Sequence, residues 1–124
     1  MEIGTRLSNE IARYLDLTTR EIEVTSANMA NIDTPGYRAV GMDFEGEMRR
    51  AMEGVGEEIP GLSGAQKPHL FEVAGLIVRP DGNDVSMDRE SLKLAEAQLR
   101  FKTGVALLKH QYNGIMDAIH ADAK

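Results

Sequence analysis

The sequence contains no cysteine and no tryptophan, and aromatic residues make up only 5% of its 124 positions. The absence of cysteine excludes disulfide bonds, thiolate metal ligands and a cysteine nucleophile. Basic residues are also in deficit, because 14 Lys and Arg face 20 Asp and Glu and the formal net charge is −6. Since binding to nucleic acid relies on a basic surface, this composition argues against a nucleic-acid partner.

Long hydrophobic runs are missing as well. No apolar segment approaches the roughly 18 residues that are required to cross a bilayer, so we expect no membrane span. Residues 1–10 lack both the basic stretch and the apolar core of a secretory signal. If the protein leaves the cytosol, we expect it to use a route without a cleaved signal peptide.

Catalytic motifs are equally scarce. The sequence has no zinc-protease, nucleophile-elbow or phosphate-loop pattern, and nothing combines a nucleophile, a base and an oxyanion donor. Asp117 and His120 share one helical face and could hold a metal, but an isolated pair of this kind is far more often solvated. We therefore predict no catalysis, no cofactor and no metal site, with a small metal enzyme as the least favoured alternative.

Glycine and proline divide the chain into three parts. All four prolines and nine of the twelve glycines lie within residues 35–83, which therefore cannot form a long helix. We predict an N-terminal helix in residues 1–34 and a C-terminal heptad helix in residues 84–124. The linker between them is predicted to be flexible or ordered by a partner. It would contain a loop at residues 57–65 and a short hairpin or single strand within residues 71–78.

Both flanks repeat apolar residues at steps of three and four, which is the spacing of a coiled-coil seam. The expected fold is mainly α, with two long terminal helices in an antiparallel, coiled-coil-like pair that forms one domain. A long and mostly irregular middle segment with short β structure at most would join them. Charged residues such as Glu21 and Arg100 are expected on the outer face. The predicted helix-packing seam comprises Leu7, Ile11, Tyr14, Ile22, Met29, Ile32, Leu94, Phe101, Val105, Leu108, Tyr112, Ile115 and Ile119.

The helix ends carry recognisable signals. Thr34-Pro35-Gly36-Tyr37 fits a type II turn, because proline occupies its second position and glycine the third, where φ is positive. Asp81-Gly82-Asn83 forms a second turn, and Ser86 or Asp88 can cap the C-terminal helix.

Two asparagines, Asn28 and Asn31, lie in the last turns of the first helix, although asparagine is unfavourable inside helices. One interpretation is that they satisfy terminal carbonyl groups and shape the turn. The other is that they form hydrogen bonds to a neighbouring subunit. The two interpretations are compatible.

Residues 26–39 resemble the N-terminal signature of the bacterial flagellar rod and hook family, and residues 81–90 resemble the turn that enters its C-terminal helix. The short chain is most similar to the proximal rod members, because the distal rod and hook proteins carry a large inserted domain. Two sister types of proximal rod protein exist. One usually has a Ser/Arg-Tyr-Gln-Ala-Asn run where this chain has residues 109–114, which favours the other type and keeps the sister as an alternative.

This resemblance implies a structural subunit of the basal-body rod, which crosses the periplasm and transmits torque. It implies export in an unfolded state by the flagellar type III apparatus. The implied partners are other rod subunits, further copies of itself, the adaptor FliE and the membrane ring. Phe44 and Met48 resemble the Phe-x-x-x-apolar element of early export substrates. The implied family motif, where subunits would interlock, comprises Asn28, Asn31, Thr34, Pro35, Gly36 and Tyr37.

A soluble helical adaptor or chaperone that stays in the cytosol is the other alternative. It would account for the heptad repeats and for the acidic composition. It would not account for the Thr34-Pro35-Gly36-Tyr37 signature.

Overall fold

A computed structural model describes residues 2–53 and 67–122 of the chain. Helix α1 spans Glu2–Ala30 and helix α3 spans Met87–Asp122. Between them lie strand β1 at Val40–Met42, helix α2 at Phe44–Glu53 and strand β2 at Leu70–Glu72. The loop predicted at residues 57–65 falls outside the described residues. None of the described helices combines the length and the apolar composition needed to cross a membrane.

The two long helices pack side by side in opposite directions, as predicted. Asn28 of α1 contacts Glu90 of α3, and Glu21 contacts Arg100 further along. Leu15, nearer the start of α1, lies against Gly104. Because the partner's residue number rises on α3 as it falls on α1, the pair is antiparallel.

The buried faces of this pair differ from the predicted seam. On α3 the buried residues are Glu90, Ala97 and Gly104, one heptad apart, so small and polar residues face α1. Among the predicted seam residues, Ile11 is the one that belongs to the buried core of the described chain. The bulkier seam residues of α3 lie beside the line of Glu90, Ala97 and Gly104 and therefore do not face α1. Within residues 6–30 of α1, whose burial the structure describes, the buried residues are Ile11, Leu17, Thr18, Glu21, Val24, Thr25 and Asn28.

The middle segment contains more regular structure than the sequence predicted. Helix α2 was missed because Gly46 lies inside it, and its start is capped by the Asp43 carboxylate, which accepts from the Gly46 N–H at 3.2 Å. Strand β2 pairs antiparallel with β1, with Gly41 opposite Phe71. Short β structure is therefore confirmed. The partner strand, however, precedes α2 and does not lie within residues 71–78.

Both predicted helix-end signals are confirmed. Gly36 has a φ of 76°, and the Tyr37 N–H donates to the Thr34 carbonyl at 3.2 Å, as a type II turn requires. Ser86 caps α3, since its carbonyl accepts from the Glu90 N–H at 2.9 Å and its hydroxyl from the Arg89 N–H at 3.4 Å.

Candidate functional site

The end of α1 and the start of α3 are joined by a polar cluster that we call the clasp, formed by residues 28–39 and 79–90. Its centre is Asn83, which is fully buried. The Asn83 Nδ2 group donates to the carbonyls of Asn31 at 2.9 Å, Ile32 at 3.1 Å and Thr34 at 2.9 Å. These carbonyls belong to the turn that follows Ala30, the last residue of α1. Asn83 therefore holds the turn after α1 from a distant position in the chain.

Two glycines allow the clasp to close. The Gly36 N–H donates to the Asp81 carbonyl at 2.9 Å, and a Cβ on Gly82 would lie only 3.3 Å from the Gly36 Cα. Gly82 also has a φ of 87°, a conformation that side chains other than glycine rarely adopt. The contact thus explains why both turns in the sequence carry glycine at these positions.

Asn28 holds the clasp to strand β1 and to α3. Its Nδ2 group donates to the Val40 carbonyl at 2.8 Å and to Glu90 Oε2 at 3.1 Å. Its Oδ1 atom accepts from the Val40 N–H at 3.0 Å and from the Tyr37 hydroxyl at 3.1 Å. All four hydrogen-bonding positions of this amide are therefore used inside the chain. Burial raises the pKa of Tyr37, and the negative charge of Glu90 adds to the rise.

Asn31 also bonds within the chain, since its Nδ2 donates to the Ala27 carbonyl at 2.8 Å and its Oδ1 accepts from the Thr34 hydroxyl at 3.0 Å. The structure thus brings Asn28, Asn31 and Tyr37 together in the role of shaping the turn. Interlocking with a neighbouring subunit stays a prediction. It now rests on Thr34, Pro35 and Gly36, which are exposed.

A second cluster fastens α2 to the helix pair. The Phe44 ring meets the Tyr14 ring edge-on at 5.4 Å, and the Arg100 guanidinium lies 4.3 Å above Phe44. Arg100 also donates to Glu21 Oε2 at 2.6 Å. The expectation that Glu21 and Arg100 lie on the outer face was wrong, because helical spacing alone does not show that an arginine can satisfy a buried carboxylate. Met48, the other residue of the suggested export element, is half-buried.

Five of the seven predicted seam residues of α3 form an exposed surface that we call the apolar strip. At about 100° per residue its members share a sector of roughly 60°. Leu94 and Val105 are half-buried, as are Tyr14, Ile22 and Met29 on α1 and Ile32 in the turn after it, whereas Leu7 is exposed. The strip consists of Phe101, Leu108, Tyr112, Ile115 and Ile119, which are 42–63% exposed.

The chain shows no converging donor set for a metal within the part that the structure describes. The ring nitrogen Nδ1 of His120 lies 2.7 Å from the Met116 carbonyl, one turn earlier in the same helix.

Comparison with known proteins connects this geometry to a family. The profile of the family described as "Flagella basal body rod protein" matches residues 15–38. The flagellar basal body rod protein FlgB of Yersinia enterocolitica is 33% identical over 120 residues, covering 85% of this chain and 87% of that protein. This chain belongs to the FlgB family of flagellar basal-body rod proteins.

Other FlgB proteins match to a similar extent. The protein from Salmonella typhimurium is 31% identical over 85% of this chain and 86% of its own length. The protein from Cereibacter sphaeroides is 32% identical over 90% of this chain and 91% of its own length. These matches favour the FlgB type over its sister FlgC, and the matched profile covers the second half of α1 and the turn that the clasp holds. The family is one of structural rod proteins.

Proposed function

We propose that this FlgB-family chain is a structural subunit of the proximal basal-body rod, assembled with copies of itself and with other rod subunits. The observation that carries the proposal is the apolar strip on α3. Five bulky side chains on one side of a helix remain 42–63% exposed although the helix already packs on α1. Contiguous apolar surface of this kind marks a protein–protein contact.

Assembly through the strip has a clear driving force. Burying apolar surface stabilises a complex by about 25 cal/mol per Å². The clasp holds the helix pair at the other end, so that the strip is presented on an ordered helix and less conformational entropy is lost on docking. A rod built from such subunits would transmit torque through its packed helices.

Location and export are further parts of the proposal. We infer a place in the periplasmic rod, next to FliE and the membrane ring, reached through the type III export apparatus. Phe44 is packed between Tyr14 and Arg100 in the folded chain. An export receptor that contacts Phe44 and Met48 would therefore act before the chain folds.

The test is deletion of the gene in its host, complementation with variants, and electron cryotomography of the flagellar bases. We expect the deletion strain to retain rings and to lack rod and hook. Complementation with Leu108→Asp or Ile115→Asp should fail, because a charge enters the strip. Asn113→Asp adds the same charge at an exposed position on the opposite side of α3 and should restore swimming.

Two outcomes would contradict the proposal. Complete rods and hooks in the deletion strain would remove the rod assignment and favour a cytosolic adaptor. Normal rods with both strip variants would show that assembly uses another surface.

A further inference from the structure

Two glycines inside α3 have opposite surroundings. A Cβ on Gly104 would lie 2.6 Å from Leu15 Cδ2, so a side chain of α1 fills the space that this glycine leaves. A Cβ on Gly114 would meet no atom within 4 Å in the described part of the chain, and Gly114 does not have a positive φ. Glycine is among the least favourable residues inside a helix, so Gly114 lowers the stability of α3. No contact within the described chain explains why glycine is found there.

Gly114 belongs to one of two exposed flanks of α3. We take the position of Gly104 around the helix axis as the direction that faces α1. The bulky flank lies about 60–80° to one side of it and consists of Phe101, Tyr112 and Ile119. Leu107, Gly114 and Ala118 lie about 40–80° to the other side, and we call them the narrow flank. All six residues are exposed. The bulky flank carries two aromatic rings, whereas the narrow flank carries one bulky side chain, that of Leu107, beside Gly114 and Ala118.

The charges beside the two flanks have opposite signs. Arg100 lies on the narrow side of α3, where it is paired with Glu21. Among the exposed charges, Lys102 and Lys109 lie outward of the bulky flank, whereas Glu96 lies on the narrow flank and Asp117 outward of it. None of these four exposed residues forms an ion pair with a residue that the structure describes. If the bulky flank of one copy packed on the narrow flank of another, ammonium groups would approach carboxylates. If two like flanks packed together, like charges would approach each other.

We propose that the narrow flank of one copy receives the bulky flank of a second copy of this chain, with the closest approach at Gly114. The inference rests on the proposed rod function and names its partner and its surfaces. Because the two surfaces differ, the contact is heterologous, and each copy keeps one free flank for the next. Such a contact generates a ring or a helical array and not a closed pair.

A first test places a side chain on Gly114. Gly114→Leu should keep or raise the helical content of the purified chain, because the site is open and leucine favours helices. In the complemented deletion strain it should abolish rods, while Asn113→Leu, one residue away on the outer side, should leave them intact. Normal rods with Gly114→Leu would overturn the proposal.

A second test uses the natural absence of cysteine. Tyr112→Cys and Ala118→Cys are expressed together in the deletion strain, basal bodies are purified and oxidised, and the disulfides are identified by mass spectrometry. We expect the mixed disulfide to exceed each symmetric one at least several-fold. Ile119→Cys with Leu107→Cys provides an independent pair.

The outcomes separate this inference from the rod function. Symmetric disulfides would indicate an isologous contact and would overturn the proposal. The proposal would also be overturned if, for each of the two cysteine pairs, basal bodies contained both variants but no disulfide. Absence of the wild-type chain from basal bodies would instead overturn the rod function itself.

Discussion

The two ends of the helix pair use polar and apolar side chains in opposite ways. At the clasp, Asn28, Asn83 and Glu90 are almost completely buried and hydrogen-bonded. At the other end, which we call the arm and which comprises residues 6–10 and 106–122, the bulky apolar side chains are exposed, apart from the half-buried Met116. The comparison teaches that directional polar contacts hold this chain's own fold, whereas non-directional apolar surface is left for assembly.

The clasp should depend most strongly on Asn83. Replacing Asn83 with Ala removes its hydrogen bonds to the carbonyls of the turn after α1, and we expect a loss of about 3 kcal/mol in the free energy of unfolding, about 1 kcal/mol for each of the three bonds. Urea unfolding followed by circular dichroism measures it. Asn113→Ala in the arm is the matched control and should change stability by less than about 0.5 kcal/mol. Equal effects of the two variants would remove the distinction between the ends.

The cluster around Arg100 should show an intermediate effect. Arg100→Ala removes the partner of the buried Glu21 carboxylate and the cation above Phe44, and we expect a loss of about 2 kcal/mol. The double variant with Glu21→Gln should cost less than the sum of the two single variants, because no buried charge is then left unpaired. Simple additivity would show that the pair does not interact in solution.

The two helical glycines sharpen the comparison further. Gly104→Leu crowds Leu15 and Tyr14, and we expect this overpacking to destabilise the fold by about 2 kcal/mol. The better helix propensity of leucine returns about 1 kcal/mol, so the net loss in the free energy of unfolding should be about 1 kcal/mol. Gly114→Leu gains propensity alone and should stabilise the purified chain by about 0.5–1 kcal/mol. Unfolding curves of both variants measure the difference. The same sign for both would contradict the distinction between a filled and an open site.

The smallest expected effect is a pH dependence of the free energy of unfolding that comes from Glu47 in α2. Burial alone would raise the pKa of Glu47, but hydrogen bonds from the His69 N–H and from Arg50, together with the Arg50 charge, lower it below its usual value. The resulting stabilisation is present above the pKa of the unfolded chain and is lost as the pH falls through the lower pKa of the folded chain.

Unfolding free energies of the wild type and of Glu47→Gln, measured between about pH 6 and about pH 3, isolate this contribution. Their difference should shrink as the pH falls. A constant difference would show that the Glu47 carboxylate is not held in this way.

How far the sequence predicts this structure depends on the range of the interactions. The Thr34-Pro35-Gly36-Tyr37 turn and the Ser86 cap follow from local rules, and both are confirmed. Heptad spacing also predicts the antiparallel pair. It does not predict which face of α3 meets α1, because Ala97 and Gly104 carry no hydrophobic signal although they allow the closest approach.

Long-range polar contacts were beyond local rules. Asn83 reads as an ordinary turn residue, yet it bonds to carbonyls about fifty positions earlier, so only the folded chain reveals its role. The Arg100–Glu21 pair was likewise assigned to the surface, because both residues are charged and their complementarity depends on the register between the helices. The two family signatures were recognisable in the sequence, but their mutual contact was not.

Hydrogen exchange tests the central claim most directly, when it is measured on the purified chain and again on the chain within isolated basal bodies. The account predicts slow exchange at residues 24–28 and 90–97 in both samples. It predicts fast exchange at residues 106–122 in the purified chain and strong protection there in the basal body. Fast exchange of the arm within assembled rods, or equal protection of both ends in the purified chain, would contradict it.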